Sequence, residues 1–134
     1  MKVAESGEKL RCSMAYFAPD AYHMGVEPDG KVILTEDMGR HALHVPSIDF
    51  MMKSAAFSYG ERALGVIMTG MGQDGVAGIQ EIRKAGGKAL AQDEHTSVIF
   101  GMNKSAIESR CIDRVVPLEG LAGAITKFCL EGRL

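Results

Sequence analysis

The stretch Thr69-Gly70-Met71-Gly72-Gln73-Asp74-Gly75 holds the residue types and spacing most able to do chemistry in this chain. Gly70, Gly72 and Gly75 satisfy G-x-G-x-x-G after a strand-like run and before a helical pattern. In that setting the backbone amides at a helix start can hold a diphosphate. Asp93 follows about 20 residues later, near the end of the next strand, where a ribose-binding acid belongs. The carboxylate of Asp74 argues against that use. At 4 Å from a diphosphate it would be repelled by about 1 kcal/mol in water, and by several kcal/mol in a partly buried site. Two other roles suit an aspartate at this point. It can cap the helix, worth about 0.5–2 kcal/mol, or orient a catalytic histidine at the carboxyl end of a parallel strand. Residue types and spacing leave all three open.

Other reactive side chains give weaker signals. Ser13, Ser47, Ser54, Ser58, Ser97, Ser105 and Ser109 form no G-x-S-x-G elbow. His44 and Ser47 are close in sequence, but Ser47 reads as a helix-start residue. The four histidines show no paired ligand spacing, so no metal site is expected, and His41 and His95 read as polar surface. Cys12, Cys111 and Cys129 are odd in number and lack metal-ligand spacing, so they read as reduced, buried small hydrophobes.

The elements that must carry these residues follow from periodicity. Residues 1–12 are polar and read as a frayed lead-in. Met14–Ala18 reads as a short strand closed by Pro19, and His23–Glu36 as a hairpin turning at Pro28-Asp29-Gly30. Pro46 and Ser47 start a helix whose apolar face holds Ile48, Met51, Met52, Ala55, Ala56 and Tyr59, with Asp49 at its positive end and Gly60 closing it. A βαβ unit follows: strand Ala63–Met68, the glycine loop, helix Val76–Ala85 and strand Lys88–Gln92. A helix near Lys104–Arg110 has Asn103 as its cap and Met102 and Ile107 as a hydrophobic staple. Val115-Val116 is a further strand fragment, and a last helix over about 118–130 buries Leu121, Ala124, Ile125, Phe128 and Cys129. This alternation predicts an α/β fold with a mainly parallel, doubly wound, Rossmann-like sheet flanked by helices, plus a β-hairpin.

Composition sets the outer bounds. The chain has 134 residues, of which 46% are hydrophobic, and 15 basic side chains against 17 acidic ones. That excludes a disordered or collagen-like chain and suits a single domain. The near balance of charge gives no case for nucleic acid, and no apolar run is long enough to enter a bilayer. A cytoplasmic protein is expected.

Several segments together carry a family resemblance. Thr69–Gly75, then Ala91-Gln92-Asp93-Glu94 and Ser97-Val98-Ile99-Phe100-Gly101-Met102, resemble the catalytic domain of the chemotaxis protein-glutamate methylesterases (CheB-type). Tyr16-Phe17-Ala18-Pro19 with His23, and His44-Val45-Pro46-Ser47-Ile48-Asp49, resemble two further family segments in the same order. Asp20 stands where relatives commonly have glycine, and Asn103 where many have proline.

The resemblance implies hydrolysis of γ-glutamyl methyl esters on the cytoplasmic region of chemoreceptors, with no cofactor. A serine attacks the ester carbonyl, a histidine carries its proton, and an aspartate fixes the imidazole. Asp74 matches that aspartate, and Met71 matches the residue whose backbone N–H faces the oxyanion. Thr69, Gly70 and Gly72 share that loop. His23 and His44 occupy recurrent family positions, either beside the cleft or on the substrate loop, or as structural histidines.

The family's serine loop, of Gly-Ala-Ser-Thr-Gly-Gly type, and its histidine precede the matched region. Residues 1–134 therefore read as a partial catalytic domain without a receiver domain, lacking the nucleophile-bearing segment and inactive alone. The serine and histidine could come from a separately encoded N-terminal half. Two alternatives remain at this level: a non-catalytic remnant that binds or assembles, for example as a homo-oligomer, and a dinucleotide-binding module using the glycine loop.

Overall fold

Alternating short apolar runs and amphipathic stretches fold as a layered α/β structure in the computed structural model, which describes residues 1–36 and 44–134. Strands β1 (Lys2–Val3) and β2 (Tyr16–Phe17) pair in parallel, and β3 (His23–Val26) and β4 (Val32–Thr35) form the antiparallel hairpin. Helix α1 (Ile48–Tyr59) follows and passes through a 3₁₀ turn at Gly60–Arg62 into β5 (Leu64–Ile67). Then come α2 (Val76–Lys84), β6 (Lys88–Gln92), α3 (Met102–Glu108), β7 (Arg114–Val116) and α4 (Leu118–Glu131). Strands β5, β6 and β7 are parallel and adjacent in that order. The described strands thus form three separate sheets: the hairpin is present as predicted, but the remaining strands divide into the β1-β2 pair and the parallel β5-β6-β7 sheet where one sheet was predicted.

Alternation along the parallel strands sends side chains into two cores. Ile67 and Ala89 pack with Met52 and Ala56 of α1, Ile79 and Ile82 of α2, and Ala106 of α3. Leu64, Val66, Leu90 and Val116 point the other way, against Leu121 and Ala124 of α4. Helices therefore cover both faces of this sheet, as buried parallel strands require. A fully buried Leu side chain is worth roughly 1.5–3 kcal/mol, so Leu90, with no exposed surface, helps fix α4 to the sheet.

Helix ends follow the local chemistry. Ser47 is the N-cap of α1, its hydroxyl accepting from the Phe50 N–H at 3.3 Å, and Gly60 closes the helix. Gly75 begins α2 at φ +100°, a left-handed conformation that L side chains rarely adopt. A Cβ there would also lie 2.6 Å from Ile67 Cδ1.

Several local expectations change. Residues 1–12 are docked rather than frayed: the N–H groups of Gly7 and Leu10 donate to Val32 and Gly30 carbonyls, and Ala4 is buried. Backbone pairing outweighs the polar composition there. Asn103 lies inside the first turn of α3, with Gly101 at the cap position. Cys12 and Cys129 are exposed and Cys111 half-buried, so burial does not explain these cysteines. Cys129 and the partly exposed Ile125 fall off the stripe that Leu121, Ala124 and Phe128 turn toward the protein.

Candidate functional site

The glycine loop leaves the carboxyl end of β5 and runs into α2, and each end is fastened by different residues. At its far end, Asp74 does not cap its own helix. Its Oδ1 accepts from the Ser47 hydroxyl at 3.1 Å and the Asp49 N–H at 2.9 Å, and its Oδ2 accepts from the Ile48 N–H at 2.7 Å. Asp74 therefore caps α1. Asp49, in the first turn of α1, returns the contact: its Oδ1 accepts from the N–H groups of Gly75 at 2.9 Å and Gly78 at 2.7 Å. Each helix lends a carboxylate to the positive end of the other. The sequence signals of a capping residue were right in chemistry and wrong in partner, because the α1–α2 packing that creates the exchange is tertiary.

At its near end the loop is held by neutral groups. The Thr69 N–H donates to Gln92 Oε1 at 3.1 Å, and the Thr69 hydroxyl accepts from the Ile99 N–H at 2.8 Å. Gly70 donates to the Ile99 carbonyl at 3.0 Å and accepts from the Met102 N–H at 2.9 Å. Buried Gln92 also donates to the Thr96 carbonyl at 2.8 Å. Fully buried Asn103 donates to the Gln92 carbonyl at 3.0 Å and the Ser97 hydroxyl at 2.7 Å. Gly101 lets this segment approach: a Cβ there would sit 2.6 Å from the Gly70 carbonyl oxygen. Sequence reasoning missed Gln92, Ser97 and Asn103 as loop supports. The one available signal was a glutamine directly after the apolar, buried run Ala89-Leu90-Ala91.

Between these anchors Met71 stands with 83% of its surface exposed, and among the described residues its N–H has no hydrogen-bond partner. Gly72, at φ +97°, follows it. The loop thus offers an unengaged amide and, one turn later, a carboxylate held in place by three donors.

The histidines divide. His23 is fully buried, and its Nδ1 accepts the Ser47 N–H at 3.1 Å, which joins it to the Asp74 cluster. His44 and His95 are exposed, and no hydrogen bond joins His44 to that cluster among the described residues. His41 lies outside the described residues. Ser47 is a cap, as its sequence context predicts. Among the described residues no group of three or more His, Cys, Asp or Glu side chains could hold a metal ion, and no helix is long and apolar enough to cross a membrane.

The dinucleotide reading loses both of its supports. The α2 amides of Gly75 and Gly78 that would receive a diphosphate are already taken by the Asp49 carboxylate. Asp93, the expected ribose acid, is turned onto Thr96, accepting from both its hydroxyl and its N–H. The Thr96 hydroxyl holds the Asp93 carboxyl below the usual aspartate value, against a smaller opposing effect of burial.

The sequence model of the CheB methylesterase family matches residues 1–125. The chain is similar to a protein-glutamate methylesterase/protein-glutamine glutaminase of Pyrococcus horikoshii, 47% identical over 95% of this chain and 35% of that protein. A protein of the same description from Pyrococcus abyssi is 46% identical, again over 95% of this chain and 35% of its own length. The chain thus spans about a third of the length of these curated relatives. The crystal structure of the Thermotoga maritima CheB methylesterase catalytic domain superposes with a TM-score of 0.87 at 34% identity, covering 93% of this chain and 67% of that one.

Proposed function

The chain belongs to the CheB methylesterase family, and from that premise we propose that it supplies the aspartate and the oxyanion loop of a protein-glutamate methylesterase site. In the proposed reaction a serine attacks the γ-glutamyl methyl ester of a chemoreceptor, a histidine carries the proton to departing methanol, and water then releases the glutamate. Asp74 accepts the imidazole N–H and fixes its tautomer. The Met71 N–H stabilises the oxyanion, a contribution of about 3 kcal/mol for one such donor. The relatives' names also include glutamine deamidation, which the same acyl-transfer machinery would perform on an amide.

The observation that carries this reading is the state of Asp74. Among the described residues its Oδ1 is filled by two donors and its Oδ2 by one, which leaves Oδ2 an acceptor position for the imidazole. The serine motif implied by the resemblance is not among the 134 residues. We accordingly place the serine and histidine on a segment outside them, in the same or another polypeptide, and propose that these residues alone do not turn over ester. The sheet of β5, β6 and β7, with helices on both faces, is in this view part of a doubly wound sheet that the added segment extends. Cytoplasmic receptor segments would be the partner, and His44 would line the substrate side.

The test is methanol release from a methylated receptor peptide. No release is expected from the 134-residue chain, and release is expected once the serine- and histidine-bearing segment is supplied. Turnover by the chain alone would contradict the assignment of the nucleophile.

A further inference from the structure

His23 opens β3 with its ring fully buried, and among the described residues only one of its nitrogens has a partner. Nδ1 accepts the Ser47 N–H at 3.1 Å, so it must carry a lone pair, and in the neutral ring the proton sits on Nε2. Nε2 has no partner among the described residues, and the Phe50 ring lies 5.6 Å away between centroids. A buried donor left unpaired costs stability, so packing alone gives no reason for histidine here. What the ring does accomplish is to fix the Ser47 backbone. Ser47 is also where the Asp74 cradle begins: its hydroxyl and the N–H groups of Ile48 and Asp49 are the three donors to that carboxylate.

We propose that His23, as its Nε2–H tautomer, is a positioning residue for Asp74, acting through the Ser47 N–H. It touches neither substrate nor reacting atoms. By holding the first residue of the cradle, it sets where the next two amides point, and so where the Asp74 carboxylate is aimed. The proposal rests on Asp74 being the aspartate of the methylesterase site.

Asparagine and glutamine separate the two ring nitrogens. In His23→Asn the amide oxygen can stand where Nδ1 stood, whereas in His23→Gln the amide reaches the position of Nε2. The first measurement needs no variant: long-range ¹H–¹⁵N correlation of the His23 ring in the 134-residue chain should show the Nε2–H tautomer. The amide signals of Ile48 and Asp49 and the side-chain carboxyl carbon of Asp74 should stay near their wild-type positions in His23→Asn and move together in His23→Gln.

With the serine- and histidine-bearing segment supplied, His23→Gln should lower kcat roughly tenfold at unchanged KM, and His23→Asn should keep most of it. An Nδ1–H tautomer, or equal disturbance by the two variants, would overturn the proposal. Undiminished turnover in Asp74→Asn would instead sink the methylesterase reading, while the spectra would still decide what His23 holds.

Discussion

The two ends of the glycine loop are fastened with different chemistry. At the Asp74 end, two carboxylates each accept backbone N–H groups from the other's helix, and Asp74 adds the Ser47 hydroxyl. At the Thr69 end, the Gln92 amide and the Thr69 hydroxyl join the loop to Gln92 and Ile99, and the Asn103 amide braces Gln92 and Ser97 behind them. Hydrogen bonds to ionised groups are about twice as strong as neutral ones. The charged end therefore fixes a functional group in place, while the neutral end fixes only the path of the backbone. Met71 lies between them, where neither set of bonds uses its N–H.

That contrast can be broken by removing one end at a time. Asp74→Ala leaves two helix-start amides and a hydroxyl without their acceptor, and should cost about 2–3 kcal/mol in urea unfolding at neutral pH. Asn103→Ala takes two donors from the neutral end and should cost about 1–2 kcal/mol in the same experiment. Its cost is smaller because the Asn103 Oδ1 is already without a partner among the described residues. Equal losses would remove the distinction between the two ends.

A smaller effect should appear on acidification, next to the neutral end. The Thr96 hydroxyl lowers the folded carboxyl of Asp93 below its ordinary value of 3.8. A depressed folded value means that the ionised group contributes stability above 3.8, and that this contribution is lost as pH falls through the lower folded value. Wild type should therefore lead Asp93→Asn in stability at neutral pH, and the lead should close only below pH 3.8. A lead independent of pH would show that the Thr96 contact does not depend on charge.

Much of this arrangement was legible in the chain, and the limits have a physical pattern. Apolar periodicity located β5, α2 and β6, and the Pro28-Asp29-Gly30 turn located the hairpin, because these are local signals. Ser47 as a cap was equally local. Asp74 was recognisable as an acid at a helix start, but its true partner was another helix some 26 residues earlier in the chain. Asn103 looked like a cap for the same reason and is instead a buried cross-link to β6. Gln92, buried at a strand end, advertised nothing beyond its polarity. Bonds between elements depend on which elements become neighbours, and composition does not encode that locally.

The central claim is that Asp74 orients the catalytic imidazole of a methylesterase. It is tested most directly by methanol release from a methylated receptor peptide, using the chain supplied with the serine- and histidine-bearing segment, as wild type and as Asp74→Asn. Asparagine keeps the size but sets an NH2 group against one of the cradle's donors and withdraws the carboxylate that fixes the tautomer, so kcat should fall by about 10⁴ with KM little changed. Turnover by Asp74→Asn within severalfold of wild type would contradict the claim.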